Sequence, residues 1–286
     1  MDHDRWIVWP GMAGALGWLA RRWRQGAGAA LLASMLSVAP AQADHSWGNY
    51  HWARPSNPFT VMLGDNVSDT WDPYLREASS DWSKSDVLDT TAVAGGTDPR
   101  RCRPTAGRVE VCNARYGYTG WLGVAQIWVS GSHITQATVK LNDTYFNLSA
   151  YNTAAWRRLV MCQEVGHTFG LDHQDENFNN TNLGTCMDYT NNPAGPPSNE
   201  HPNQHDYDQL AIIYSHLDST TTVAASPVSS RARELVDELL DDPVAWGRPI
   251  KLDRHGQPVL YLRDLGGGHR LFTWVVWAEL GARGAR

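Results

Sequence analysis

The sequence predicts an α+β protein in which a mixed, twisted sheet packs against a few helices and a small β-rich module follows. Three observations predict this fold class. Residues 87–150 contain short apolar runs separated by Gly, Asn and Asp, a pattern typical of strands and turns. Segments with apolar residues at helical spacing lie on both sides of these runs. Residues 219–230 form a linker rich in Ser, Thr, Ala and Pro, and strand-like runs resume beyond it.

The first half of the main domain follows from apolar periodicity. Phe59–Leu63 is a predicted strand, and Trp71–Asp86 is a predicted amphipathic helix. The apolar residues of that helix at helical spacing are Trp71, Leu75, Ala78 and Trp82. The strands predicted next are Thr90–Ala94, Arg108–Asn113, Gly123–Val129 and Thr138–Leu141.

Two further helices are predicted after the strands. The first covers about Thr153–Phe169, and either Asn152 or Thr153 is expected to cap its N-terminus. The second covers His205–Leu217 and is expected to end the domain at residue 218. Its inward-facing residues are expected to be Tyr207, Leu210, Ile213 and Tyr214.

Residues 231–286 are predicted to form the small C-terminal module. Ala232–Leu240 is a predicted short helix. The predicted strands of the module are Arg248–Asp253, Pro258–Arg263 and Leu271–Ala278. Because a chain of this length is near the lower limit for an independent hydrophobic core, we expect the module to dock on the domain formed by residues 44–218.

The first 43 residues have the pattern of a secretory signal peptide. Three arginines between residues 21 and 24 precede a run of small apolar residues over Ala27–Val38. Ala41-Gln42-Ala43 then supplies a cleavage site. The apolar run is short for a membrane span. We therefore expect a secreted or periplasmic protein without stable membrane insertion after cleavage.

The composition indicates a folded protein that does not bind nucleic acid. The formal net charge is −6, and the mature region contains no basic run. Fourteen tryptophans are many for a chain of 286 residues. We expect most of them in the core and at its rim, and a peptide- or glycan-binding surface is the alternative. A monomer is expected.

A motif within the predicted helix Thr153–Phe169 carries most of the chemistry. Gln163 and His167 are four residues apart, so both can face one metal ion from the same side of a helix. Glu164 lies one helical step away, where its carboxylate can reach a water beside the metal. Gly170 permits a positive φ that ends the helix. His173 can then approach as a third ligand.

The sequence from Glu164 to His173 resembles the motif of the metzincin zinc proteases, and within them that of the matrixins. The metzincin pattern is H-E-x-x-H-x-x-G-x-x-H. Cys186-Met187-Asp188-Tyr189 is similar to the Met-turn that these enzymes place beneath their zinc. The resemblance implies a zinc endopeptidase that acts on protein or peptide substrates. Zn²⁺ would be held by Gln163, His167 and His173, with Glu164 as general base, Met187 under the metal and Tyr189 stabilising the oxyanion.

Gln163 replaces the first histidine of that pattern, and three consequences are open. Its side-chain oxygen can ligate the metal, it can hydrogen-bond a water that fills the position, or the site can be metal-free. Cys162 lies about 140° around the helix from His167 and points away. The histidines elsewhere that could supply a ligand are His45, His51, His133, His201 and His205.

The four cysteines allow three pairings, and an exported protein keeps disulfides. We favour Cys102–Cys112, which would clip a hairpin, and Cys162–Cys186, which would tie the motif helix to the Met-turn. Closing the second loop would contribute on the order of 3 kcal/mol in the chain-entropy model. We expect this bond to preorganise the site.

Other interpretations remain beside the protease. A binding protein on a degenerate protease fold is the main alternative, and a binder of cell walls or glycans is the third. The loop Asp175–Thr185 is rich in Asn and Asp, which also suits Ca²⁺. Since no prodomain of ordinary size precedes the motif, latency is predicted to come from the C-terminal module, and deletion after Ser219 is predicted to raise proteolysis.

Overall fold

A large mixed sheet with few helices dominates the structure, a computed structural model that describes residues 45–224 and 243–278. The predicted signal peptide and the predicted helix Ala232–Leu240 lie outside the described residues. The fold is mixed α/β, as the sequence predicts at this coarse level. Among the described residues, no helix is both long and apolar enough to cross a membrane.

Nine strands form the sheet within the described residues. They are β1 (His51–Trp52), β2 (Phe59–Asn66), β3 (Leu88–Ala94), β4 (Val109–Ala114), β5 (Trp121–Ser130), β6 (His133–Asn142), β7 (Arg248–Leu252), β8 (Pro258–Gly266) and β9 (His269–Trp277). The predicted strands are all present, and most extend beyond the predicted ends. The strand β1 was not predicted, because two residues carry no periodic signal.

The helices of the described residues are α1 (Asp72–Trp82), α2 (Asp143–Phe146), α3 (Ala154–His167) and α4 (Gln204–Ile213), with a 3₁₀ turn at Pro243–Trp246. Helix α4 ends four residues before the predicted Leu217, and α1 ends four residues before the predicted Asp86. The short helix α2 was not predicted. Thr153 is the N-cap of α3, and its side chain accepts a hydrogen bond from the Trp156 amide.

The strand order is β3-β2-β4-β6-β5-β9-β8-β7, with β1 beside β6. The pairs among β1, β2, β3, β4 and β6 are parallel, whereas β5 runs antiparallel to both of its neighbours, β6 and β9. The C-terminal strands therefore continue the same sheet. They join it through β5, the strand that would otherwise be its edge.

The core lies between the sheet and helices α1 and α3, and tryptophans fill much of it. The buried tryptophans are Trp47, Trp52, Trp71, Trp82, Trp121, Trp128, Trp156, Trp246 and Trp274. The core interpretation of the tryptophan content is thus confirmed for the described residues. The Trp82 indole joins the two helices directly, because its N–H donates to the carbonyl of Cys162 at 3.1 Å.

Both favoured cysteine pairs are joined in the structure. Cys102 and Cys112 bond across the segment that leads into β4, with Cα atoms 5.9 Å apart. Cys162 of α3 bonds Cys186, with Cα atoms 6.0 Å apart. Two disulfides are consistent with an extracellular protein. The second fixes the segment around Met187 against helix α3.

Gly166 lies where α3 and the Met187 segment are in close contact, so a substitution there tests this packing. A Cβ at Gly166 would lie 2.7 Å from both the Met187 sulfur and the Trp82 ring. Gly166→Ala gains about 1 kcal/mol of helix propensity. We expect overpacking to outweigh this gain, with a net loss of about 1–2 kcal/mol. The measurement is the free energy of unfolding in urea.

Ser80→Ala, on the exposed face of α1, is the control for a small substitution in a helix. It should leave the free energy of unfolding within about 0.5 kcal/mol of the wild type. Equal or greater stability of Gly166→Ala would show that α3 and the Met187 segment are packed less tightly than described.

Candidate metal centre

The end of helix α3 sets the geometry of the site. The helix stops at His167, and Gly170 adopts φ +101°, the left-handed conformation that the sequence predicts there. A Cβ at Gly170 would lie 2.6 Å from the carbonyl oxygen of Tyr50, so the close approach of that chain also requires glycine. The resulting turn brings His173 back towards His167.

His167 and His173 point their Nε2 atoms at each other across 3.0 Å. Their rings are nearly perpendicular, with centroids 4.6 Å apart. The Nδ1 atom of His167 lies 2.8 Å from the carbonyl oxygen of Leu171, which accepts a hydrogen bond from the ring N–H. This bond fixes the tautomer and leaves a lone pair on Nε2, an arrangement common among histidines that ligate metals.

At this distance either the ring N–H of His173 donates to the lone pair of His167, or a cation lies between the two nitrogens. Both rings are buried, and burial is the main cause that lowers the pKa of His167 well below its usual value and lowers that of His173. The charge of His173 also lowers the pKa of His167. Both shifts favour the neutral imidazole, which is the form that binds transition-metal ions.

Gln163 is buried on the same helix, one turn before His167. Its amide nitrogen donates a hydrogen bond to the carbonyl of Cys186 at 2.8 Å. Its Oε1 atom is buried and accepts no hydrogen bond from the described residues. An unsatisfied buried carbonyl oxygen is costly, and a metal ion or an ordered water would satisfy it.

Glu164 is fully buried beside the strand β5. A Cβ at Gly123 would lie 2.6 Å from its Oε1, so glycine is what leaves room for the carboxylate. Desolvation raises the pKa of Glu164 well above its usual value, and the nearby amides of Val276 and Ala125 lower it in part. Neither amide lies in hydrogen-bonding geometry, so both carboxylate oxygens are without a hydrogen-bond partner among the described residues.

Met187 and Tyr189 belong to the segment that the Cys162–Cys186 disulfide joins to α3. The Met187 sulfur faces Gly166 of α3. The Tyr189 ring packs 4.3 Å from that of His173, and burial raises the pKa of its hydroxyl well above the usual value. The hydroxyl donates a hydrogen bond to the carbonyl of Val275 in β9 at 3.1 Å. Tyr189 therefore links the site to the C-terminal strands.

The strand β9 covers the histidine pair. The Trp274 indole stacks on the His167 ring at 4.4 Å with an interplanar angle of 6°, and its edge meets His173 at 5.0 Å. Lys251 in β7 forms ion pairs of 2.6 Å with Asp172 and Glu176, on either side of His173. As a result His167 is 0% and His173 is 3% exposed.

No pattern in the sequence indicates this cover. Trp274 and Lys251 lie far from the motif along the chain, and the sequence predicts only that each belongs to a strand. Gly123 was assigned to a strand without any function. Only the pairing of β9 with β5 places these residues at the site, and such pairing is not readable from one sequence.

The remaining histidines that could have replaced the missing ligand lie in other clusters. His45 and His205 group with Asp206, and His51 and His133 group with Asp218. His201 pairs with Asp81 at 2.7 Å. A further group, Asp172 and Glu176 with His173, borders the histidine pair itself. Calcium binding by the loop Asp175–Thr185 stays a prediction.

The comparisons with known proteins add no family to this description. No model of a protein family matches the chain, and a comparison with curated proteins finds no significant match.

Proposed function

We propose that this protein is an exported, zinc-dependent endopeptidase of metzincin type, kept latent by its own C-terminal strands. The observation that carries the proposal is the convergence of His167 and His173 at 3.0 Å beside the buried carboxylate of Glu164. Neighbouring residues of one helix and its following turn thus supply two imidazole ligands and a carboxylate. This is the donor set and the order that the motif from Glu164 to His173 predicts.

The residues present fit a zinc ion. The two Nε2 atoms are focused on one point, and Gln163 has a buried oxygen that needs a partner. Zn²⁺ accepts nitrogen and oxygen ligands and keeps one position open in catalytic sites. We assign Gln163 as the third ligand through Oε1. The ion would acidify a water and polarise the carbonyl of the peptide bond.

The side chains around this point suit the hydrolysis of a peptide bond. Glu164 would take the proton of the attacking water and later deliver it to the leaving amine. Tyr189 keeps its proton, since burial raises the pKa of its hydroxyl well above the usual value, and it donates a hydrogen bond to a backbone carbonyl in β9. A substrate carbonyl in the place of Val275 would receive the same hydrogen bond as negative charge develops on its oxygen.

An extended peptide is the substrate shape that the sheet favours. Without β9, the strand β5 would be an exposed edge with unpaired N–H and C=O groups. A peptide can pair with such an edge by strand addition. Gly123 of β5 lies against Glu164, so a peptide on β5 would pass directly over the proposed base.

The same geometry explains latency. The strand β9 occupies the edge of β5, with Trp274 opposite Ala125 and Val276 opposite Gly123. Trp274 stacks on His167, and the ion pairs of Lys251 hold β7 over Asp172 and Glu176. A substrate reaches the histidines only when these strands move away. The C-terminal strands would thus act as an inhibitory cover within the same chain.

The first test pairs zinc content with activity in Glu164→Gln, which keeps the shape of the side chain and removes the base. We expect one zinc equivalent at the histidine pair in both proteins. Cleavage of a broad peptide library should fall by at least about 10²-fold in kcat/KM, because a general base contributes about this much. His167→Ala is the control that should lose the metal of this site together with the activity. A wild type without cleavage, even after the cover is loosened, would favour a binding protein on the same fold.

The second test addresses Gln163. Gln163→His should bind zinc about tenfold more tightly or better, ~1.4 kcal/mol, since imidazole suits zinc better than an amide oxygen. Gln163→Ala should bind it more weakly by a similar factor. The measurement is competition with a chromophoric chelator. Unchanged affinity in Gln163→Ala would mean that the glutamine is not a ligand and that a water holds its position.

The third test loosens the cover. Phe272, Trp274 and Val276 belong to the hydrophobic core, so deletion after Ser219 would also remove core packing. Trp274→Ala is more selective. Losing a buried Trp costs about 3–5 kcal/mol. Each ~1.4 kcal/mol by which the closed state alone is destabilised raises the population of the open state tenfold. We expect peptidase activity to rise at least about tenfold.

The matched control for Trp274→Ala is Trp71→Ala, which removes an equally buried indole that packs on Tyr74 and Phe146 instead. It should lower stability without raising activity. Both variants are assayed well below their melting temperatures with a quenched fluorescent peptide. Equal activity of Trp274→Ala and wild type, with zinc bound in both, would remove the latency proposal.

A further inference from the structure

A second group of potential ligands lies apart from the histidine pair and shares no residue with it. His51 in β1 and His133 at the start of β6 are register partners on adjacent parallel strands, so their side chains lie on the same face of the sheet. His216 and Asp218 follow helix α4. Three segments that are distant in sequence thus bring three imidazoles and one carboxylate together.

The distances within this group are short enough for the four side chains to bind one ion. The Nε2 atoms of His51 and His216 are 3.0 Å apart, the same separation as in the histidine pair beneath β9. Oδ1 of Asp218 lies 3.2 Å from Nε2 of His133 and 3.8 Å from Nε2 of His216. Oδ2 of Asp218 lies 3.5 Å from Nε2 of His51. Each imidazole presents the same nitrogen, Nε2, towards the carboxylate.

Surrounding groups orient these ligands. The Nδ1 atom of His51 lies 2.7 Å from the carbonyl oxygen of Asn49, so the ring N–H donates there and Nε2 keeps its lone pair. Arg54 is buried and holds Asp218 through Nη1 at 2.9 Å and through its backbone N–H at 3.2 Å, both to Oδ2. Outer contacts of this kind, from a ring N–H to a carbonyl and from a cation to a carboxylate, commonly fix metal ligands.

The group also holds a carboxylate that can face a cation. The Asp218 side chain lies among the three imidazoles, and Arg54 holds it from the other partner position on Oδ2. The Asp218 carboxylate then offsets part of the charge of a bound cation.

We propose that His51, His133, His216 and Asp218 form a second metal site that binds Zn²⁺ in a structural role. Four ligands of the types N, N, N and O satisfy the tetrahedral preference of zinc without an open position for catalysis. The side chains of His133 and His216 are 34% and 51% exposed, which gives the ion a path from solvent. The bound ion would tie β1 and β6 to the segment after α4.

The experiment counts zinc in purified protein after dialysis against a weak chelator. The key variant is His216→Ala, because His216 is half exposed and its loss leaves the core packing intact. We expect one zinc equivalent fewer than in the wild type and a melting temperature that no longer rises on zinc addition. His133→Ala should behave in the same way. His255→Ala, an exposed histidine on the turn before β8, is the control and should change neither quantity.

A variant that lacks the histidine pair distinguishes zinc at this site from zinc at the proposed peptidase centre. In the double variant His167→Gln/His173→Gln, one zinc equivalent should remain, and it should disappear when His216→Ala is added. Co²⁺ bound in place of zinc should show the visible absorption of a tetrahedral site in the double variant and lose it in the triple variant. Retention of all zinc by His216→Ala in wild-type background, or an equal loss in His255→Ala, would overturn the proposal. Neither result would bear on the histidine pair under β9.

Discussion

The pairing of β9 with β5 is the interaction on which the candidate site depends. It converts an edge strand into an interior strand, places Trp274 on His167, and seals Glu164 behind Gly123 and Val276. The ion pairs of Lys251 and the hydrogen bond from Tyr189 to Val275 hold the same strands down from the other side. Strand pairing, stacking and charge thus act together, and loss of any one of them would weaken the others.

The ionisable groups of the candidate site are buried, and burial shifts their pKa values. Burial raises the pKa of Glu164 and of Tyr189 and lowers the pKa of His167 and His173, so all four shifts favour the neutral form. Burying neutral groups costs far less than burying ions. The cover therefore encloses a polar cluster without stranding a charge. It is nonetheless a costly arrangement, since both oxygens of Glu164 and Oε1 of Gln163 are without hydrogen-bond partners among the described residues. An ion or a water that entered the site would supply these groups with the partners that they lack.

The sequence predicted what is local and missed what is distant. The helix around His167, its Thr153 cap and the positive φ of Gly170 follow from spacing and residue type within about twenty positions. The two disulfides were predictable because only three pairings existed. Trp274 and Lys251 were not, since a strand pattern fixes which side chains alternate but not which strand becomes the neighbour. The cluster of His51, His133 and Asp218 was missed for the same reason. The sequence indicates His51 and His133 only as separate possible ligands and gives no signal for Asp218, whereas strand register and the end of α4 bring all three together.

A backbone carbonyl orients Gln163, as one commonly orients a histidine that ligates a metal. A histidine ligand does two things: one ring nitrogen donates to a backbone carbonyl, and the other presents a lone pair to the metal. His167 shows the first half of this arrangement with Leu171. Gln163 reproduces it with an amide, because its N–H donates to the carbonyl of Cys186 while Oε1 keeps a lone pair without a partner. Cys186 is itself fixed to the same helix by its disulfide with Cys162, so the acceptor of that hydrogen bond cannot drift. The hydrogen bond to Cys186 thus orients the Gln163 amide and leaves its oxygen free of hydrogen bonds from the described residues.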